Sequence, residues 1–182
     1  MKILDTPLAD VKVLEPKVFG DERGFFMETW NASTFAAQGL DLTFVQDNHS
    51  LSAKGVLRGM HFQVLRPQGK LVRVVAGAAF DVVVDIRRDS PTFGQWHGVE
   101  LSAQNRRMLW APPGMAHGFL SLEEGTQFLY KCTEFYLPEY ERSLLWNDPD
   151  VGIDWPLQGM GAPQLSAKDI DGKLLDQIET YP

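Results

Sequence analysis

The sequence has 182 residues, with 17 Lys and Arg against 24 Asp and Glu, a formal charge of −7 when its four histidines are neutral. That length suits one domain, 1–182, able to bury about 70% of the unfolded chain's surface, and 44% hydrophobic with 23% charged residues argues against disorder. An acidic surplus with no basic run argues against a nucleic-acid polymer or an anionic membrane as partner, while the lone Cys132 rules out an internal disulfide and suits a reducing cytoplasm.

In chain order, 1–10 carries Asp5, Pro7 and Asp10 where a signal peptide needs an unbroken apolar stretch, so a soluble cytoplasmic protein is expected. Strands are predicted over 11–19 and 25–30, then a short helix over 32–38 behind the cap Asn31. Further strands follow over 43–48, 56–63 and 71–76. Segment 80–87, FDVVVDIR, alternates most cleanly, with Phe80, Val82, Val84 and Ile86 on one face and Asp81, Asp85 and Arg87 on the other. Strands at 95–101, 107–111 and 127–136 complete the set. Between the last two, 108–122 lacks charge but is too short and too broken to span a bilayer. Within it, PPGMAHGF is read as a loop carrying His117. After a Pro- and Gly-containing crossing over 155–163, Ser166 is placed as the cap of a C-terminal helix over 167–179. Many short strands punctuated by glycine favour an antiparallel barrel or sandwich, with a jelly roll as the natural form.

Several segments carry residues suited to chemistry, each with a plainer alternative. In VLRGMHFQ, Arg58 and His61 fall on opposite faces of a regular strand, but a bulge at Gly59 would turn both to one cavity. His61 is then either a hydrogen-bonded barrel histidine or a general base with an intrinsic pKa near 6.5. Lys70, at the start of a strand, is a solvated flank when taken alone and an enolate-stabilising ammonium beside a base. Tyr130 shares a face with Phe128 and Cys132, as a core aromatic or as a general acid. Asp169 in LSAKD either serves a helix N-terminus or fixes the tautomer of His61. The four histidines form no His-x-His pair, so a metal site is disfavoured, and neither a phosphate-binding glycine loop nor a G-x-S-x-G elbow occurs.

EPKVFGDERGFFMETW, FVQDNHS, VLRGMHFQ, QGKLVRV, FDVVVDIRRDSPTFGQW, FLYK, LLWNDPDVGIDWP and LSAKD together resemble the dTDP-4-dehydrorhamnose 3,5-epimerase family, in its order and over nearly the whole chain. The resemblance implies a mainly β, cupin-like jelly-roll barrel with short peripheral helices and a C-terminal helix. It implies an isomerase that needs no cofactor or metal and acts on a dTDP-linked 4-keto-6-deoxy sugar. His61 corresponds to the base, Asp169 to its carboxylate, Lys70 to the lysine beside the ketone and Tyr130 to the proton donor. Arg23, Glu28, Gln46, Asn48, Arg58, His117, Glu141 and Lys168 correspond to substrate-binding positions. The resemblance also implies a homodimer with exchanged N-terminal strands, in which Arg23 and Glu28 serve the partner's site. Phe135 stands where the family often has a second tyrosine. A single-centre epimerase on a related keto sugar, a metal-dependent cupin enzyme and a non-catalytic sugar-nucleotide binding module are the alternatives. Solvent exchange, metal analysis and binding without exchange separate them.

Overall fold

Alternating apolar and polar residues, broken by glycine and proline, fold the chain into short antiparallel strands in the computed structural model, which describes residues 1–181. The order is β1 (Lys2–Asp5), β2 (Lys12–Glu15), β3 (Val18–Asp21), β4 (Gly24–Met27), α1 (Ala32–Ala36), β5 (Gln46–Ser52), β6 (Leu57–Gln63), β7 (Lys70–Ala76) and β8 (Ala78–Asp85). There follow β9 (Trp96–Ser102), β10 (Met108–Ala111), β11 (Met115–Ser121), β12 (Thr126–Cys132), a 3-10 turn at Pro138–Tyr140, β13 (Glu141–Ser143) and α2 (Ala167–Ile170). One sheet has the order β1-β2-β10-β7-β12-β5, the other β13-β6-β11-β8-β9, and β3 with β4 forms a separate hairpin.

This is a cupin-like jelly roll, with both large sheets feeding one core. Val13, Val72, Val74, Leu109 and Phe128 from the first sheet pack with Ala79, Val83, Leu101, Met115 and Phe119 from the second. The outer face of the second sheet is covered as well. Leu57, Met60, Phe62, Val82, Val84 and Ile86 lie under Leu144, Val151, Trp155 and Ile178 of the C-terminal segment. The outer face of the first sheet packs Leu14, Leu71 and Trp110 against Phe35 of α1. Fully burying each such side chain contributes roughly 1.5–3 kcal/mol.

Several boundaries depart from the sequence reading. The strand expected over 11–19 is two, divided around Pro16, which has no N–H for a ladder. β11 runs through the segment read as a loop. Pro112–Gly114 makes the turn, with Gly114 at φ +92°, and the chain then pairs with β6 and β8 on both sides. The strand expected to reach Tyr136 ends at Cys132. The C-terminal helix stops at Ile170 rather than 179, because the Gly172 backbone passes against Leu144 and Leu145, where a Cβ would lie 2.8 Å from Leu145 Cα. Lys173 then hydrogen-bonds Ser143 and Leu145 as a strand would. Both caps are as expected: Asn31 accepts from the Thr34 N–H and Ser166 from the Asp169 N–H.

Candidate active site

A cavity of about 370 Å³ opens between the two sheets. Its first wall comes from alternate residues of three paired strands: Gln46, Asn48 and Ser50 on β5, Phe128, Tyr130 and Cys132 on β12, and Lys70 at the start of β7. Its second wall comes from Arg58 and His61 on β6 and from His117, Gly118 and Phe119 on β11. Gln68, Tyr136, Glu141, Ser166, Lys168 and Asp169 complete the lining.

Arg58 and His61 share this cavity because β6 is irregular between them. Residues 58 to 61 of β6 span the same length as 117 to 119 of β11, so one residue of β6 is extra. Gly59 takes up the irregularity at φ +132°. Its hydrogen faces Gly118, where a Cβ would stand 2.5 Å from the Gly118 Cα. The bulge that the sequence required is present, and it is made by two glycines facing each other.

His61 Nε2 lies 2.6 Å from Asp169 Oδ1, and Ser166 Oγ donates to the other carboxylate oxygen at 2.7 Å. A carboxylate only accepts, so Nε2 carries the hydrogen and Nδ1 keeps the lone pair. Burial is the largest influence on His61 and pulls it below its ordinary 6.5, aided by the charges of Lys168 and Lys70 and opposed by Asp169. Burial pushes Asp169 up, but the hydrogen bonds from His61 and Ser166 prevail and hold it low. The result is a neutral imidazole backed by a charged carboxylate, an arrangement suited to taking a proton.

Lys70 is buried, with a single long contact from Nζ to the His61 carbonyl at 3.5 Å, and no carboxylate among the described residues reaches ion-pair distance. Burial pulls its pKa down, offset in part by Cys132, Glu141 and Asp81. Tyr130 moves the opposite way: burial raises it above 10, which keeps its hydroxyl protonated. Glu141 ties the mouth together, accepting from Lys168 Nζ and Tyr136 Oη at 2.8 Å each. The bond to Glu141 pushes Tyr136 up to about 12. Asn48 Nδ2 contacts Cys132 Sγ at 3.6 Å, and Gln46 donates to Asn48.

Of the site residues expected from sequence, His61, Lys70, Tyr130, Asp169, Gln46, Asn48, Arg58, His117, Glu141 and Lys168 line this one cavity. Arg23 and Glu28 do not. Arg23 lies at the turn of the β3–β4 hairpin, exposed and paired with Asp21, and Glu28 accepts from Asn31 and Thr34. His117 sits on a buried strand and not on a loop. Phe135 is 53% exposed and does not line the cavity; the second tyrosine there is Tyr136, one position later. Sequence reasoning also missed Asp81, which is fully buried 2.8 Å from His117 Nε2. The signal was an acid inside the apolar run FDVVVDIR. Among the described residues no three His, Cys, Asp or Glu side chains converge as a metal-ligand set, and no helix is long and apolar enough to cross a membrane.

The family model for dTDP-4-dehydrorhamnose 3,5-epimerase matches residues 5–177. The dTDP-4-dehydrorhamnose 3,5-epimerase of Pseudomonas aeruginosa is 55% identical, over 100% of both chains. The protein of that name from Neisseria gonorrhoeae is 58% identical over 98% of this chain, which spans 54% of that relative's length. Among solved structures, a dTDP-6-deoxy-D-glucose-3,5-epimerase of Legionella pneumophila, crystallised with dTDP-4-keto-L-rhamnose, superposes with a TM-score of 0.94 at 52% identity. That match covers 98% of this chain and 94% of the other.

Proposed function

The chain belongs to the dTDP-4-dehydrorhamnose 3,5-epimerase family, and from that premise we infer that it converts dTDP-4-dehydro-6-deoxy-D-glucose to dTDP-4-dehydro-L-rhamnose, with His61 as base and Tyr130 as acid. The observation that carries this assignment is their placement: a neutral, carboxylate-backed His61 on one sheet and a protonated Tyr130 on the other, with Lys70 lining the same cavity.

The substrate's C3 and C5 protons both lie α to the C4 ketone. One base serves both centres if the negative charge of each enolate collects on one oxygen. His61 Nδ1 takes the proton, Asp169 steadies the imidazolium that results, and the Lys70 ammonium faces the ketone oxygen, where its lack of a carboxylate partner leaves its charge available. Tyr130 then delivers a proton from the opposite wall, which inverts the centre. Arg58 and Lys168 hold the diphosphate at the mouth, Gln46, Asn48 and Glu141 orient the rest of the nucleotide sugar, and His117 binds the substrate from the wall beside His61. The reaction calls for no cofactor, because the ketone itself acidifies both positions. A single catalytic domain working in the cytoplasm fits this chemistry.

The working form we propose is a homodimer. The β3–β4 hairpin belongs to neither large sheet and exposes Phe19, Phe25 and Phe26, the last by 69%. It also carries Arg23, which its own cavity does not use. An apolar hairpin whose turn exposes an arginine, paired only with its neighbour Asp21, fits insertion beside the partner's cavity, where Arg23 and Glu28 complete the substrate site.

The test is solvent exchange. Incubation with dTDP-4-keto-6-deoxy-D-glucose in heavy water is expected to place deuterium at C3 and C5, and His61→Asn is expected to abolish both. Exchange at neither carbon with the unaltered protein would sink the reading.

A further inference from the structure

Asp81 is a buried carboxylate in the barrel to which the reading above gives no task. It lies on β8 between Ala79 and Val83, fully buried, on the face turned toward the core between the sheets. A carboxylate in that position is costly unless paired. Its one side-chain partner among the described residues is His117 Nε2, and its Oδ2 has none.

The register makes the arrangement informative. β11 lies between β6 and β8, and His117 stands directly opposite His61 across the β6–β11 pair. The cavity wall therefore carries two neighbouring histidines, each with Nε2 bound to a carboxylate behind it: His61 to Asp169 and His117 to Asp81. In both rings the carboxylate requires a hydrogen on Nε2, which leaves Nδ1 as the nitrogen available to the cavity. Burial raises the Asp81 carboxyl above its ordinary range, opposed first by the neighbouring His117 and then, in the same charged layer, by the Lys70 ammonium.

We propose that Asp81 is a positioning residue: accepting from Nε2, it holds the His117 ring so that Nδ1 meets the same oxygen as Lys70, where a ring already protonated from solvent donates a hydrogen bond to the enolate oxygen and keeps its proton. This rests on the epimerase reading. His117 thereby becomes a second donor to the enolate oxygen, and Asp81 does for it what Asp169 does for His61. The other groups facing the pair are Lys70 on β7, His97 on β9, His61 on β6, and Tyr130 and Cys132 on β12.

Deuterium wash-in at C3 and C5 is compared for the unaltered protein, Asp81→Asn, His117→Asn and the double variant, with nitrogen-15 histidine spectra of each full chain across pH. Asp81→Asn keeps an acceptor oxygen and removes the charge. It is expected to slow wash-in at both carbons about 10- to 100-fold, with KM changed by less than about threefold. It is also expected to loosen the hold on the ring, so that the nitrogen-15 spectrum shows hydrogen on Nδ1 as well as on Nε2 of His117. The double variant is expected to be no slower than His117→Asn, since residues acting as a unit do not lose additively. Full rates in Asp81→Asn, an unchanged His117 ring spectrum, or losses that multiply in the double variant would each overturn the proposal. If Asp81→Asn does not fold, the spectrum of the unaltered protein decides. A slowly exchanging hydrogen on His117 Nε2 supports the proposal, and one on Nδ1 alone overturns it. Absence of wash-in with the unaltered protein is a separate result that removes the epimerase premise, and the His117 spectrum still reports whether Asp81 holds the ring.

Discussion

His61 and Tyr130 face one cavity from opposite sheets, and burial drives their pKa values apart, His61 downward and Tyr130 upward. At neutral pH His61 is therefore unprotonated and Tyr130 protonated, as the proposed roles of base and acid need. Because His61 must be neutral to act, kcat/KM is expected to rise with pH through the His61 midpoint and level off above it. That midpoint falls below 6.5, and a rate profile whose acid limb is centred above 6.5 would contradict the assignment. Tyr130→Phe leaves His61 able to remove a proton and return one on the same face. Net epimerisation is expected to fall about 10²- to 10⁴-fold while deuterium wash-in persists, and equal losses in both, followed by NMR, would remove Tyr130 as the opposite-face donor. Most of these residues were legible in the sequence because glycine, histidine and arginine interrupt an otherwise apolar strand at VLRGMHFQ. Asp81 was not, because alternation in FDVVVDIR says which residues share a face and not whether that face meets water or a second sheet.

At the scale of elements, the bulge in β6 decides whether a site exists. Without it, Arg58 and His61 would sit on opposite faces of the strand. Gly59→Ala meets two obstacles, a backbone at φ +132° and a Cβ 2.5 Å from Gly118 Cα. The expected cost is about 2–4 kcal/mol, a drop in Tm of roughly 5–15 °C for a domain of this size. The measurement is calorimetry of the variant beside wild type, and an unchanged Tm would mean that β6 runs differently from the strand described. The central strands were readable from period-two alternation, and both short helices from their caps. β11 was hidden because its opening Pro-Pro-Gly and internal Gly118 look like loop signals in a one-dimensional reading. Gly118 is instead required by the close approach of Gly59. The C-terminal helix was overextended because nothing local marks where the Gly172 backbone docks on Leu144.

For the whole molecule, the charge of −7 describes the surface and not the site. Arg58, Lys70, His117 and Lys168 gather at one cavity, and Arg23 alone of the expected cations stands elsewhere, on the hairpin. If that hairpin serves a second copy, replacing Phe25 and Phe26 together by serine is expected to give a monomer in sedimentation equilibrium with activity reduced at least about tenfold. A fully active monomer would reject the shared site. The C-terminal segment has a consequence of another kind. It brings Ser166, Lys168 and Asp169 to a base 108 residues earlier in the chain. It covers one apolar face of the second sheet with Leu165, Leu175 and Ile178, but it joins the sheets only through isolated bridges, Gln164 against Gly55 and Leu57 and Lys173 against Ser143 and Leu145, with the Leu175 N–H on Asp148. Segments so held open at lower free energy than the strands beneath them. Gentle heating therefore silences the chemistry while the barrel is still intact, so the temperature at which activity fails lies below the one at which the sheets come apart.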